Sequence, residues 1–146
     1  ITFVLQTSIF FVAYSYTPPT EEAVLYTLQN SKPGDAIVIT NANQQFYILS
    51  HDRERRYFSL WFSEDLNKTV YYFKKNKGYT KPIHISYIIA DTHMLNERKL
   101  KYMENNFVLE KTYEWKHAIP QIVFMRSTGR EKDEIRVYRI MKDLAL

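Results

Sequence analysis

Asp91, Thr92 and His93 stand together in the stretch ADTHMLNE, directly after the apolar run IHISYIIA. A carboxylate beside an imidazole can divide acid and base roles. Loops at the carboxyl ends of strands are where open α/β sheets bring ligand groups together. No GxSxG elbow supplies a nucleophile for such a pair. A helix cap is the structural alternative for Asp91 or Thr92, because their side-chain oxygens suit exposed helical amides. Asp91, Thr92 and His93 are therefore candidates for ligand contact. No catalytic residue is assigned, since no complete constellation is visible.

Asn41 and Asn43 form a second candidate pair, in TNANQQ after the strand-like run AIVIT. A dinucleotide site at such a turn needs several glycines, so that backbone amides can approach a pyrophosphate. The whole chain holds only 3 Gly, and it has no GxxxxGK phosphate loop. Gly78, after Lys77, reads as a helix stop. Two readings of residues 40–45 stand: a fold-forming turn capped by Asn41, or a small amide cluster in which Asn41 and Asn43 contact a ligand. The four histidines, His51, His84, His93 and His117, are scattered without the close spacing of a helical zinc site. His84 and His93 converge only if the strand end doubles back. With 0 Cys, thiolate ligands, thiolate nucleophiles and disulfides are excluded. No metal or other cofactor is expected.

Charge supplies a third group of candidates. Lys74, Lys75, Lys77 and Lys81 gather in KKNKGYTK, and a second basic stretch, HDRERRYF, spans 51–58. Lysines attract phosphates, anionic headgroups or an anionic acceptor. Tyr57, Phe58 or Tyr79 stack on bases if they are exposed. However, Glu54 splits HDRERRYF, neither stretch resembles an RNA-recognition strand, and the net charge is a modest +4. Nucleic acid is not the expected partner.

The elements that hold these groups follow from periodicity. The 146 residues suit one domain, and 45% hydrophobic and 16% aromatic content exclude a disordered chain. The opening run ITFVLQTSIFFVAYSY is shorter than the ~20 residues a helix needs to cross a bilayer. It lacks the charged leader of a signal peptide. It reads as an extended core segment, with a buried helix as the alternative. Pro18 and Pro19 end that run, and Thr20 is the expected cap of a helix over 20–30 with Glu21 and Glu22 in its first turn. AIVIT is a strand buried on both faces, and Asn41 caps a helix containing Phe46, Ile48 and Leu49. RYFSLWF is a strand, SEDLNKTVYYFKKNKG a helix, IHISYIIA a strand and DTHMLNERKLKYMENN a helix. FVLEKTYEW, QIVFMRS and EIRVYRIM close the chain as strands. This alternation predicts an α/β fold: a three-layer sandwich, Rossmann-like without its nucleotide fingerprint. Its sheet is mainly parallel with an antiparallel C-terminal edge.

The order YTPPTEEAVLYTLQNSKPGDAIV, YFSLWF, SYIIADTHMLNERKLKYMENNFVLEKTYEW and EIRVYRI resembles the soluble C-terminal region of prokaryotic multi-pass membrane glycosyltransferases. The similarity is to the dolichyl-phosphate-mannose-dependent protein mannosyltransferases and related lipid-linked sugar transferases, and it covers nearly the whole chain. In those families the membrane part uses a polyprenyl-phosphate sugar donor, with acidic residues of an early extracytoplasmic loop supporting transfer. Nothing here matches that loop, so the resemblance carries no catalytic residue over. It implies that residues 1–146 are a single α/β domain from a larger membrane protein. That domain would be non-catalytic and extracytoplasmic, assisting acceptor handling or assembly beside the membrane portion of its own polypeptide. Anionic lipid or a glycosylation acceptor is the further partner expected of the lysine cluster. The sequon at Asn67 is compatible with that location. The alternative is a freestanding α/β protein, cytoplasmic, that binds a ligand or nucleic acid. A reading frame with many hydrophobic spans upstream of Ile1 separates the two.

Overall fold

Two strongly apolar runs, AIVI and ISYIIAD, form strands whose residues are all buried. They anchor the middle of the sheet. The computed structural model describes residues 18–60, 84–114 and 134–141. The elements are α1 (Pro19–Asn30), β1 (Ala36–Ile39), α2 (Ala42–His51), β2 (Arg56–Ser59), β3 (Ile85–Asp91), α3 (Glu97–Asn106), β4 (Val108–Glu114) and β5 (Glu134–Arg139). The expected opening segment, the helix over 63–78, the strand QIVFMRS and the lysines at 74, 75, 77 and 81 lie outside the described residues. So do Asn67, Gly78 and His117.

The five strands form one mixed α/β sheet in the order β2-β1-β3-β5-β4. β1 pairs in parallel with both β2 and β3, while β5 pairs antiparallel with β3 and with β4. Four strands therefore share one direction, and β5 alone is reversed. The parallel part occupies the centre and the antiparallel pairing lies toward one side, where β4, not the last strand, forms the outer edge among the described residues.

Helix ends follow from local chemistry, with two departures from expectation. Pro18 occupies the N-cap of α1 and Pro19 its first turn, where a missing amide hydrogen costs nothing. Thr20 is buried rather than capping. α3 begins at Glu97 instead of at Asp91, because Asn96 accepts from the Lys99 amide at 2.9 Å and residues before it form a turn. Between α1 and β1, Gly34 adopts φ 92°, a left-handed conformation that favours glycine. The Lys32 amide donates to Asp35 Oδ2 and the Asp35 amide to the Lys32 carbonyl, both at 3.1 Å, which closes that turn.

Alternation along the strands divides the buried side chains between two clusters. Ile37, Ile39, Tyr87, Ile89, Ile135 and Val137 pack with Ala23 and Val24 of α1 and Ile48 of α2. Val38, Phe58, Ile88, Ala90 and Tyr138 pack with Leu95 and with Met103 of α3. The helices thus hold β1 and β3 rigidly, and with them the turns at their carboxyl ends.

Candidate functional site

After β1 the chain passes through α2 to β2 on one side, whereas β3 lies on the other side of β1. The carboxyl ends of β1 and β3 therefore flank the point where strand order reverses, the usual ligand crevice of open α/β sheets. All five ligand-contact candidates sit there. Asn41 follows β1, Asn43 opens α2, Asp91 ends β3, and Thr92 and His93 begin the loop to α3.

A hydrogen-bond network joins the two turns. Asn41 Nδ2 donates to Asp91 Oδ2 at 2.8 Å, across 50 residues of chain. The His93 backbone amide donates to Asp91 Oδ1 at 3.0 Å, so both carboxylate oxygens are held. Thr40 Oγ1 donates to the Ile89 carbonyl at 3.2 Å and accepts from the Asp91 amide at 2.8 Å, pinning the strand ends together. Thr92 reaches the reversed strand. Its amide donates to the Glu134 carbonyl, and its hydroxyl accepts from the Glu134 amide, both at 3.0 Å. Arg136 balances the acidic end of β5, at 3.0 Å from Glu134 and 2.7 Å from Glu104.

Asp91 and Thr92 are buried, and neither caps a helix. Asn41 does. Its Oδ1 accepts from the Asn43 amide at 2.8 Å, its carbonyl from the Gln44 amide at 3.2 Å. Gln44 returns the contact, its Oε1 accepting from the Thr40 and Asn41 amides at 2.8 and 3.2 Å. Four amides that a phosphate would use are thereby engaged by the protein itself. The turn is built as a reciprocal cap and not as a phosphate cradle. His93 is joined to Asp91 through its backbone amide.

Gln44 and Thr40 were absent from the sequence-level candidates. An Asn followed three residues later by Gln marks a capping box in the sequence, which is the signal for Gln44. Nothing local announces that Thr40 bridges to β3. Gln44 is fully buried, and its Nε2 has no hydrogen-bond partner among the described residues.

The other polar candidates disperse. His84 precedes β3 and lies 3.1 Å from Asp35, at the opposite end of the sheet from His93, so the two histidines do not converge. Arg55 is buried: it contacts Asp52 at 2.9 Å and donates to the Lys32 carbonyl at 2.6 Å, tying the lower turns together. Phe58 is buried as well, so HDRERRYF offers neither that cation nor that ring to a nucleic acid. Among the described residues no group of three or more acidic or histidine side chains could hold a metal ion, and no helix is long and apolar enough to cross a membrane. Comparison with family models, curated proteins and solved structures finds no match to the chain.

Proposed function

We propose that this chain is a non-catalytic accessory domain of a larger extracytoplasmic-facing membrane glycosyltransferase that uses a polyprenyl-phosphate sugar donor. Its role is acceptor handling or assembly, with the crevice between β1 and β3 as its contact region. The observation that carries the reading is the state of Asp91: a buried carboxylate held by Asn41 Nδ2 and the His93 amide. Such a group orders two loops, as a binding surface requires. Resemblance of the element order to the C-terminal region of those transferases supplies the parent enzyme. The separation of helical residues between two strand-face clusters supports a complete three-layer sandwich as the finer architecture. The membrane portion of the same polypeptide is the first partner. An acceptor or anionic lipid at Lys74, Lys75, Lys77 and Lys81 is the second.

Two measurements test this. The reading frame encoding the chain should contain many hydrophobic spans upstream of Ile1, and a frame without them overturns the accessory role. The purified chain, supplied with a polyprenyl-phosphate sugar and a peptide acceptor, should release no glycosylated product. Turnover that Asp91→Asn abolishes would refute the non-catalytic assignment.

A further inference from the structure

Two buried polar groups at the crevice are left short of partners, one as an acceptor and one as a donor. Asp91 is 6% exposed, and among the described residues its carboxylate meets no Lys or Arg. It accepts only from two neutral donors, Asn41 Nδ2 and the His93 amide. An ionised carboxylate has about four acceptor positions, so this one keeps unused capacity. Gln44 has the opposite shortage. Its Oε1 accepts from the Thr40 and Asn41 amides at 2.8 and 3.2 Å, which fixes the other end of the carboxamide as nitrogen, because the reversed group would set N–H against N–H. The two Nε2 hydrogens are then left without an acceptor among the described residues, although buried amides are ordinarily satisfied. Asn41 ties both groups to one turn, since its backbone amide donates to Gln44 and its side chain to Asp91.

The chemistry of this pair selects what fits between them. An anion meets the Asp91 charge, and the α2 amides that would hold it already serve the cap. A cation suits Asp91 but leaves the Gln44 donor facing a positive group. A hydroxyl donates through its hydrogen and accepts through its lone pairs, so neighbouring hydroxyls on one molecule satisfy the carboxylate and the amide together. We propose that the crevice between β1 and β3 binds a neutral polyol of the monosaccharide class, with Asp91 accepting from one hydroxyl and Gln44 Nε2 donating to its neighbour. Gln44 is sealed, so its contact requires the partly exposed Asn41 side chain to turn away from Asp91, where a ligand hydroxyl takes its place. Asn43 and His93 stand exposed beside this turn. The site rests on the reading of the crevice as a contact region and needs nothing of the parent enzyme.

Side-chain amides give their own nitrogen–proton NMR signals, so the unpaired donor is directly observable. Titrating the isotope-labelled chain with glucose, mannose and galactose should shift the Gln44 Nε2, Asn41 Nδ2 and His93 backbone signals together and saturably with at least one sugar. Inorganic phosphate and methylammonium should leave them in place. Asp91→Asn keeps the shape and removes the charge, and should weaken the sugar response at least about tenfold. Gln44→Glu keeps a capping oxygen and replaces the donor by an acceptor, so it should weaken the response as well and decides the matter if Asp91→Asn does not fold. No saturable shift with any of the three sugars, an undiminished response in whichever variant folds, or a response to phosphate or methylammonium in place of sugar overturns the polyol site. So does a Gln44 Nε2 group that contacts a long-lived internal water and stays indifferent to sugar, because water then supplies its acceptor. A failed titration leaves the accessory role to be judged by the reading frame, and a frame without membrane spans leaves the sugar site standing.

Discussion

Asn41 performs two tasks with one side chain, and substitution separates them. Its Oδ1 caps α2 through the Asn43 amide, and its Nδ2 holds Asp91. Loss of an N-cap costs about 1 kcal/mol, and loss of a hydrogen bond to a charged group about 1.5–3 kcal/mol. Asn41→Ala should therefore lower stability by about 2.5–4 kcal/mol, while Asn41→Ser, which keeps a capping oxygen, should retain about 1 kcal/mol of that. Urea unfolding of both variants checks the difference, and equal losses would mean that the cap contributes nothing. The two halves of this residue were unequally legible in the sequence. Capping is local, so Asn41 before an apolar run announces it. The partner Asp91 lies 50 positions away, and only the adjacency of β1 and β3 brings it into contact. The sequence marks Asp91 as a polar group beyond a strand, but the cap of α3 is Asn96, which lies directly before the helix.

At the scale of elements, α1 is fastened to β4 by aromatic and charged side chains, and that seam makes the fold sensitive to alkali. Burial, reinforced by the Glu22 carboxylate, pushes the Tyr113 phenol up to about 12. Burial likewise raises Tyr26, Tyr47 and Tyr138, with Glu110 adding to the first and Glu21 to the second. A phenol whose pKa is higher in the folded chain than in the unfolded one favours folding while it stays protonated. That contribution is complete below the ordinary value of 10.0 and is lost as pH rises through the folded value. The urea midpoint should accordingly lose this contribution between pH 10.0 and about 12, and Tyr113→Phe should flatten the loss. An unchanged slope in that variant would show that Tyr113 does not contribute. Among the described residues β4 is an edge strand, and its charges oppose self-pairing. A second copy paired antiparallel about a two-fold axis would set Lys111 against Lys111 or Glu110 against Glu110, and like charges directly opposite are unfavourable. The continuous apolar run of β1 makes it legible as a strand buried on both faces, and the apolar residues of β3 mark it as a strand. The sequence left the order of the strands open, since no local pattern records that β5 inserts between β3 and β4.

For the whole molecule, the question is whether the two clusters of buried side chains behave as one cooperative unit. Ile88 and Ile89 are adjacent and fully buried, yet Ile88 belongs to the cluster on α3 and Ile89 to the cluster on α1 and α2. Their side chains share a backbone but no packing partners, as the two-residue period of a strand requires. Removing one methylene from each by Ile88→Val and Ile89→Val should cost roughly 0.5–1.5 kcal/mol per site. Neighbouring residues usually fail to add because they touch common atoms. Here the sheet stands between the two sites, so the double variant should lose the sum of the single losses to within about 0.5 kcal/mol. A domain with 5–15 kcal/mol of stability, the ordinary range for native proteins, tolerates that combined loss and remains folded for the measurement. Unfolding in urea should also show one transition by tyrosine fluorescence and by backbone circular dichroism, because β1 and β3 contribute to both clusters. Additive losses with coincident transitions would mean independent packing on two faces of one cooperative sheet. Separate transitions would refute the single unit, and a double loss departing from the sum by well over 0.5 kcal/mol would show that strain passes through β3 from one cluster to the other.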